Sequence, residues 1–184
     1  MALTEGQRTE VLYLQGWARR FKDTSLLIDP EHGMPKTLVQ LAVERKKRAI
    51  REAKRGRGAS YDEIWCVFDV DRHPNLAEAL DQAAQAGIGV ALTNPCLELW
   101  FVLHFQDWTR HLERGEAQSL SKKLLHCGKH LTSDAVASLL DRYEEATTRA
   151  KSLDAKHLGD GSGGFANPSS SVWKLVESIR SGTR

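Results

Sequence analysis

The sequence predicts an α/β fold, with a small parallel sheet that is flanked by helices and followed by a helical C-terminal elaboration. In residues 1–110, short apolar runs alternate with stretches of helical periodicity, as in chains that build parallel sheets. Residues 111–184 contain further helical stretches and a loop rich in glycine and serine. A length of 184 residues is typical of one domain. We therefore expect an α/β core and an elaboration that pack together as a single domain.

The first half of the predicted core begins with a helix over residues 7–21, where apolar side chains recur at helical spacing. The sequence SLLIDP at residues 25–30 is typical of a short strand that ends at an Asp-Pro pair. Residues 34–58 then predict a long helix, with Pro35 in its first turn and two glycines at its end.

The second half of the core contains a strand at residues 63–71 that is apolar on both faces, which indicates burial on both sides. A helix over residues 74–86 and a strand over residues 87–94 follow. Pro95 is expected to begin the next helix, with Asn94 as its cap.

The elaboration is predicted to consist of helices joined by loops. The helices are expected at residues 116–127, 133–157 and 171–179, and a flexible loop at residues 159–171. Thr132 or Ser133 is expected to cap the second of these helices, and a serine of the sequence NPSSS the third.

The bulk composition excludes several classes of protein. No run reaches the roughly 18 apolar residues of a membrane span, and the N-terminus lacks the pattern of a signal peptide. The cysteines, Cys66, Cys96 and Cys127, are widely spaced and form no CxxC pair. They favour a reducing cytoplasm over a disulfide framework or a structural zinc site.

Two acidic residues, Asp69 and Asp71, follow the apolar run in the sequence IWCVFDVDRH. Their side chains point to the same side of an extended strand, and two carboxylates so close repel each other unless a cation is present. Open α/β sheets bind ligands beyond the carboxyl ends of their strands, and Mg²⁺ prefers carboxylate oxygens. The pair therefore predicts a metal site, although a solvated turn would also explain acids at a strand end.

A second acidic element, TEGQRTE, places Glu5 before a glycine, as in a strand-to-helix turn. Acids are also favoured at helix N-termini by the dipole, which alone could explain Glu5 and Glu10. A Glu-Gly turn followed by a strand ending in DxD resembles the Toprim domain of topoisomerases, primases and OLD-type nucleases. More specifically, TEGQRTEVLYLQGW, FDVDRH, TNPCLELWFVLHF and NPSSSVWKLVESI resemble the motif series of the RloB-like family, which includes AbiLii-type proteins linked to phage resistance.

The resemblance implies roles for individual residues. Glu5 matches the Toprim glutamate, which helps to hold metal or acts as a general acid or base, and Asp69 and Asp71 match the metal-binding pair. Glu98 and His104 fall within the family block NPxxExWxxxHF. Relatives have a full apolar strand before the Glu-Gly turn, whereas only MALT precedes it here. Three explanations of this difference are open: a short first strand, a misassigned start codon, or a truncated chain.

Three further positions have two interpretations each. Glu98 lies in the first turn of a buried helix, either as a partner of the helix dipole or as another acid facing the metal site. His104 lies about 120° around that helix from Glu98, which favours a core histidine over a metal ligand. Asn167 is explained by capping, although its place in a family motif allows a further role.

The long helix carries a local excess of positive charge, with nine Lys or Arg residues against two Glu between residues 36 and 57. It is either the charged face of a solvated helix or a stripe that binds the phosphates of a nucleic acid. The candidate nucleic-acid-binding residues are Arg45, Lys46, Lys47, Arg48, Arg51, Lys54 and Arg55.

Together, these observations and the resemblance predict a nuclease of an antiphage system that uses Mg²⁺ or Mn²⁺ and acts with an ATPase of the RloA, OLD or ABC type encoded nearby. Glu5, Asp69 and Asp71 would hold the metal, with Glu98 as an additional ligand if two ions bind. A non-catalytic Toprim-like module that assembles with the ATPase or binds nucleic acid is the alternative. A DxD phosphatase is less favoured, because Arg72 and His73 replace the Thr or Val that usually follows that motif.

Overall fold

A computed structural model describes residues 1–22, 24–70, 75–128 and 130–182. Within these ranges, one sheet has the strand order β1 (Ala2–Thr4), β2 (Trp65–Asp69), β3 (Gly89–Asn94) and β4 (Ser169–Ser170). The first three strands are parallel, and β4 pairs antiparallel with β3 at one edge. The predicted α/β class and small, mainly parallel sheet are confirmed, and the arrangement is consistent with a Toprim-like fold.

Helices cover both faces of the sheet. They are α1 (Thr9–Arg20), α2 (Pro35–Lys54), α3 (Leu76–Ala86), α4 (Leu97–Leu103), α5 (Arg114–Leu124), α6 (Ser133–Asp141), α7 (Tyr143–Asp160) and α8 (Val172–Ser181). None of the helices in the described ranges is long and apolar enough to cross a membrane.

The sheet separates two apolar cores, because successive strand side chains point to opposite faces. Leu3, Cys66 and Phe68 lie on the side covered by α2 and α3, whereas Ala2 and Val67 lie on the other side. This second side also contains the apolar residues of α1, α4 and the helices of the elaboration. The elaboration thus shares a core with α1 and α4.

The helix predicted over residues 133–157 is two helices, α6 and α7, which meet at Arg142. The break lets α6 pack against α1 while α7 packs against α4. Tyr143, the first residue of α7, is buried and contacts the Trp17 ring edge-on at 5.3 Å. Thr132 caps α6 as predicted, since its hydroxyl accepts a hydrogen bond from the Ala135 amide at 3.2 Å.

The predicted start of α4 at Pro95 is wrong, because the helix begins at Leu97 and Cys96 occupies the capping position. Asn94 instead ends β3, and its side chain donates a hydrogen bond to the Phe165 carbonyl at 2.8 Å. This bond holds the glycine-rich loop against the sheet.

Two other predicted elements differ in detail. The loop expected over residues 159–171 contains β4, and Ser171 does not cap α8 with its side chain, because its hydroxyl accepts a hydrogen bond from the Leu92 amide at 2.9 Å. The strand expected at residues 25–30 is a single bridge between Ile28 and Ala2, alongside β1.

Candidate functional site

Glu5 is fixed beside Asp69 by the pairing of β1 and β2. The Glu5 amide donates to the Val67 carbonyl at 2.9 Å, so the ladder continues one residue past β1. The Glu5 carboxylate then accepts a hydrogen bond from the Asp69 amide at 3.1 Å. The short first strand therefore suffices to bring Glu5 to the carboxyl end of β2.

Asp69, the last residue of β2, connects the strand to two helices. Its Oδ1 accepts a hydrogen bond from the amide of Leu97, the first residue of α4, at 2.9 Å. Its Oδ2 forms an ion pair with Arg114, the first residue of α5, at 3.1 Å. The Asp69 side chain is only 15% exposed. The carboxylate is thus mostly buried where the end of β2 meets the starts of α4 and α5.

The electrostatic environment of Asp69 disfavours its charged form. Burial raises the pKa of Asp69 to about 8, against the opposing effect of Arg114. The nearby charges of Glu10, Glu5 and Glu98 raise this pKa further. An acid of this kind is stabilised in its charged form by an additional cation.

Glu10 joins this group from the first turn of α1. Burial raises the pKa of Glu10, and Glu98 and Glu5 add to the effect, while a hydrogen bond from the Gly6 amide at 3.2 Å opposes it. We call Glu5, Glu10, Asp69 and Glu98 the acidic cluster. The sequence signal that could have identified Glu10 was its position in the same short motif as Glu5.

Glu98, the fourth member of the acidic cluster, lies in the first turn of α4. The Cys96 thiol forms a hydrogen bond with the Glu98 carboxylate, and burial, aided by Glu98, raises the pKa of this thiol above its ordinary value. Glu98 also lines a small depression of about 30 Å³ together with Lys122 and His130. Its position is compatible with both expected roles, a partner of the helix dipole and an acid near Asp69.

The donor chemistry of the acidic cluster suits a hard divalent cation, because every candidate ligand is a carboxylate oxygen. In the described ranges, however, no three His, Cys, Asp or Glu side chains are arranged to hold a metal ion. The positive charge at Asp69 is supplied by Arg114. Asp71, the second half of the predicted metal-binding pair, lies outside the described residues.

Arg114 had no local signal in the sequence. It lies 45 residues after Asp69, and it reaches the site only because α5 packs against α4. Asn167 fixes the backbone that leads into α5, since its side chain accepts a hydrogen bond from the Leu112 amide at 2.8 Å and donates to the Leu112 carbonyl at 2.9 Å. It also donates to Asn94 Oδ1 at 3.2 Å. Asn167 thus ties the end of β3 to the start of α5.

His104 lies in the apolar core, 1% exposed. Its Nδ1 lies 2.7 Å from the Trp100 carbonyl, and its ring contacts the Trp100 ring edge-on at 4.8 Å. Burial lowers the pKa of His104 to about 3, so the imidazole is neutral. These contacts are those of a core histidine.

Several cations of the basic helix α2 have structural partners. Arg45 pairs with the buried Asp29 at 2.8 Å, and Lys46 donates to the carbonyls of Ala86 and Gly87 at 2.8 and 2.9 Å. Arg55 pairs with a glutamate one turn before it at 3.4 Å. Arg55 is itself exposed, and so are the other candidates Lys47, Arg48, Arg51 and Lys54.

The basic half of α2 and the acidic cluster lie at opposite ends of the sheet. Lys36, near the start of α2, pairs with Glu78 at the start of α3, and Lys46 reaches the end of α3. Because α3 leads directly into β3, Lys46 is level with the amino end of that strand. The structure therefore does not bring the residues after Lys46 near Asp69.

Comparison with known protein families supplies one match. The model of the family described as RloB-like protein matches residues 1–179. This match covers all the motifs that carry the resemblance in the sequence. No curated protein and no solved structure matches the chain.

Proposed function

Because the chain belongs to the RloB-like family, we propose that it is the nuclease component of an antiphage defence system and hydrolyses phosphodiester bonds with the help of Mg²⁺ or Mn²⁺. Membership of this family suggests an association with antiphage defence. The observation that carries the proposal is the acidic cluster, in which Asp69 has a pKa of about 8 and lies at the carboxyl end of a parallel strand. A buried acid so strongly perturbed, surrounded by other acids, is typical of a functional site.

Individual residues of the chain would have different roles in this hydrolysis. A bound divalent ion would polarise the phosphate and activate water. Asp69 and Asp71 would hold that ion, with Glu98 as a further ligand. Glu5, fixed beside Asp69 by its hydrogen bond to the Asp69 amide, would hold the ion or take a proton from the attacking water. The burial of Asp69 between β2, α4 and α5 would limit the access of bulk water to its carboxylate.

The proposed substrate is DNA or RNA, and we propose that the exposed cations of α2 contribute to its binding. Lys47, Arg48, Arg51 and Lys54 would attract phosphates at the amino end of the sheet, in a manner that weakens with salt. The proposed partner is an ATPase of the RloA, OLD or ABC type. Such a system acts on nucleic acid inside the cell, so we propose a cytoplasmic location.

The test compares cleavage by the wild type with that of Asp69→Asn and Asp71→Asn, using labelled single-stranded and duplex substrates in Mg²⁺ or Mn²⁺. Each substitution should lower the rate by about 100-fold or more, because it removes a charged metal ligand. Asp81→Asn, on the exposed side of α3, is the matched control and should leave the rate unchanged. Cleavage by both site variants at the wild-type rate would contradict the proposal.

The protein contacts of the Asp69 carboxylate favour a second candidate function. Both of its oxygens already have protein partners, Arg114 and the Leu97 amide, as expected of a module that assembles with an ATPase or binds nucleic acid without catalysis. Calorimetric titration with Mn²⁺ separates the two functions. A non-catalytic module should bind no Mn²⁺ and should retain nucleic-acid binding in Asp69→Asn.

A further inference from the structure

Arg114 is placed to compete with a metal ion for Asp69. The Leu97 amide donates to Oδ1 of Asp69, and the Arg114 guanidinium contacts Oδ2. A divalent ion that binds this carboxylate would bring two positive charges to the position of the guanidinium. Because like charges repel and the Asp69 carboxylate is only 15% exposed, we expect the ion and the guanidinium to compete for Oδ2.

The backbone of Arg114 is held in place, while its side chain is partly exposed to solvent. Leu112, two residues earlier, is fully buried and is bound at both its amide and its carbonyl by Asn167. The Arg114 side chain itself is 41% exposed. A guanidinium displaced from Asp69 would therefore stay near that carboxylate and in contact with solvent.

The face of α5 that begins at Arg114 is suited to an anion. Residues four apart on a helix lie on the same face, which aligns Arg114 with Gln118 and Lys122. Gln118 and Lys122 line the small depression that also contains Glu98 and His130. The positive charges of α5 thus lie next to the acidic cluster, unlike those of α2.

The geometry points to an exchange of partners by Arg114, from Asp69 to a phosphate. This inference rests on the proposed function. We propose that Arg114 contacts Asp69 in the metal-free protein and binds a phosphate of the nucleic acid once a divalent cation occupies Asp69. Arginine suits this role because its planar guanidinium pairs equally well with carboxylate and phosphate oxygens.

The first test measures Mn²⁺ binding by calorimetry in Arg114→Gln and in Arg110→Gln. The matched control, Arg110, lies four residues earlier and pairs with Glu116 at 2.7 Å. Arg114→Gln should bind Mn²⁺ about threefold or more tightly than the control, because the competing cation is gone. Arg114→Lys retains the charge and should bind Mn²⁺ like the wild type.

The second test measures the binding of a fluorescent single-stranded RNA and of its DNA counterpart, with EDTA or with Ca²⁺ in place of Mg²⁺ to prevent cleavage. In Ca²⁺, Arg114→Gln should bind about five- to tenfold more weakly than the wild type, from loss of a charged hydrogen bond. In EDTA the nucleic-acid affinities of Arg114→Gln and the wild type should agree within about twofold, because the Arg114 side chain then contacts Asp69. A residue with only a general attraction for nucleic acid would weaken binding equally in both conditions.

The outcomes separate this inference from the proposed function. If the wild type binds Mn²⁺ and cleaves nucleic acid but Arg114→Gln matches Arg110→Gln in both tests, only the exchange is overturned. If Arg114→Gln loses the same amount of nucleic-acid binding in EDTA as in Ca²⁺, the exchange is overturned as well. If neither the wild type nor Arg114→Gln binds Mn²⁺, the exchange and the metal-dependent function are both wrong. Thermal unfolding of each variant verifies that it is folded.

Discussion

The carboxylate of Glu5 accepts a hydrogen bond from the backbone amide of Asp69, across 64 residues of sequence. This bond joins the turn after β1 to the end of β2, so it sets the separation of two members of the acidic cluster. It also gives the Asp69 amide a partner at a point where the strand ladder ends. The position of Glu5 is thus a property of the sheet as well as of the site.

Replacement of Glu5 should separate its structural role from its chemical role. Glu5→Ala leaves the Asp69 amide without this partner and should lower the free energy of unfolding by about 1–2 kcal/mol. Glu5→Gln keeps an acceptor oxygen and should unfold close to the wild type in urea, yet it should lose Mg²⁺-dependent cleavage. Equal stability of the alanine and wild-type proteins would show that the bond contributes nothing to folding.

The raised pKa of Asp69 predicts a stability that falls as pH rises. The pKa is about 8 in the folded protein and about 3.9 in an unfolded chain. Between these values the folded protein binds a proton that the unfolded chain lacks, so the contribution of Asp69 is fully present below pH 4 and is lost as pH rises through about 8.

Urea unfolding in EDTA at several pH values measures this loss. Between about pH 5 and about pH 9, the wild type should lose on the order of 4 kcal/mol relative to Asp69→Asn, which has no charge to bury. Parallel pH profiles for the two proteins would mean that Asp69 is charged throughout this range.

Asn167 should act on the site through the backbone before α5. Asn167→Ala leaves the buried amide and carbonyl of Leu112 without their side-chain partners, which should cost about 2–3 kcal/mol in urea unfolding. Asn75→Ala is the matched control, because Asn75 is exposed and its side chain makes no capping hydrogen bond. A similar stability of the two variants would contradict a structural role for Asn167.

The parts of the fold that sequence predicted are those with strong local signals. The apolar run of β2, the glycine after Glu5 and the helical periodicity of α2 each determine structure within a few residues. The break at Arg142 has no such signal, since arginine favours helices and the break depends on packing against α1 and α4. β4, with two serines, likewise has no apolar pattern and forms only because β3 offers an edge.

The positions of the candidate site residues could likewise be predicted only where the sequence carries a local signal. Glu5, Asp69 and Glu98 follow strands or begin a helix, so their meeting at one end of the sheet could be inferred from topology. The Arg114 ion pair depends on how the elaboration packs on the core, which no short motif encodes. His104 was better explained by its apolar surroundings than by its motif.

The shared core of α1, α4 and the elaboration also bears on how this protein can be divided for experiments. Removal of the segment after residue 110 would expose the apolar side of the sheet and of α1 and α4 to water. It would also take Arg114 and Asn167 away from Asp69 and β3. The boundary visible in the sequence therefore does not mark a minimal unit, and a shortened protein for biochemical work must retain the chain through α8.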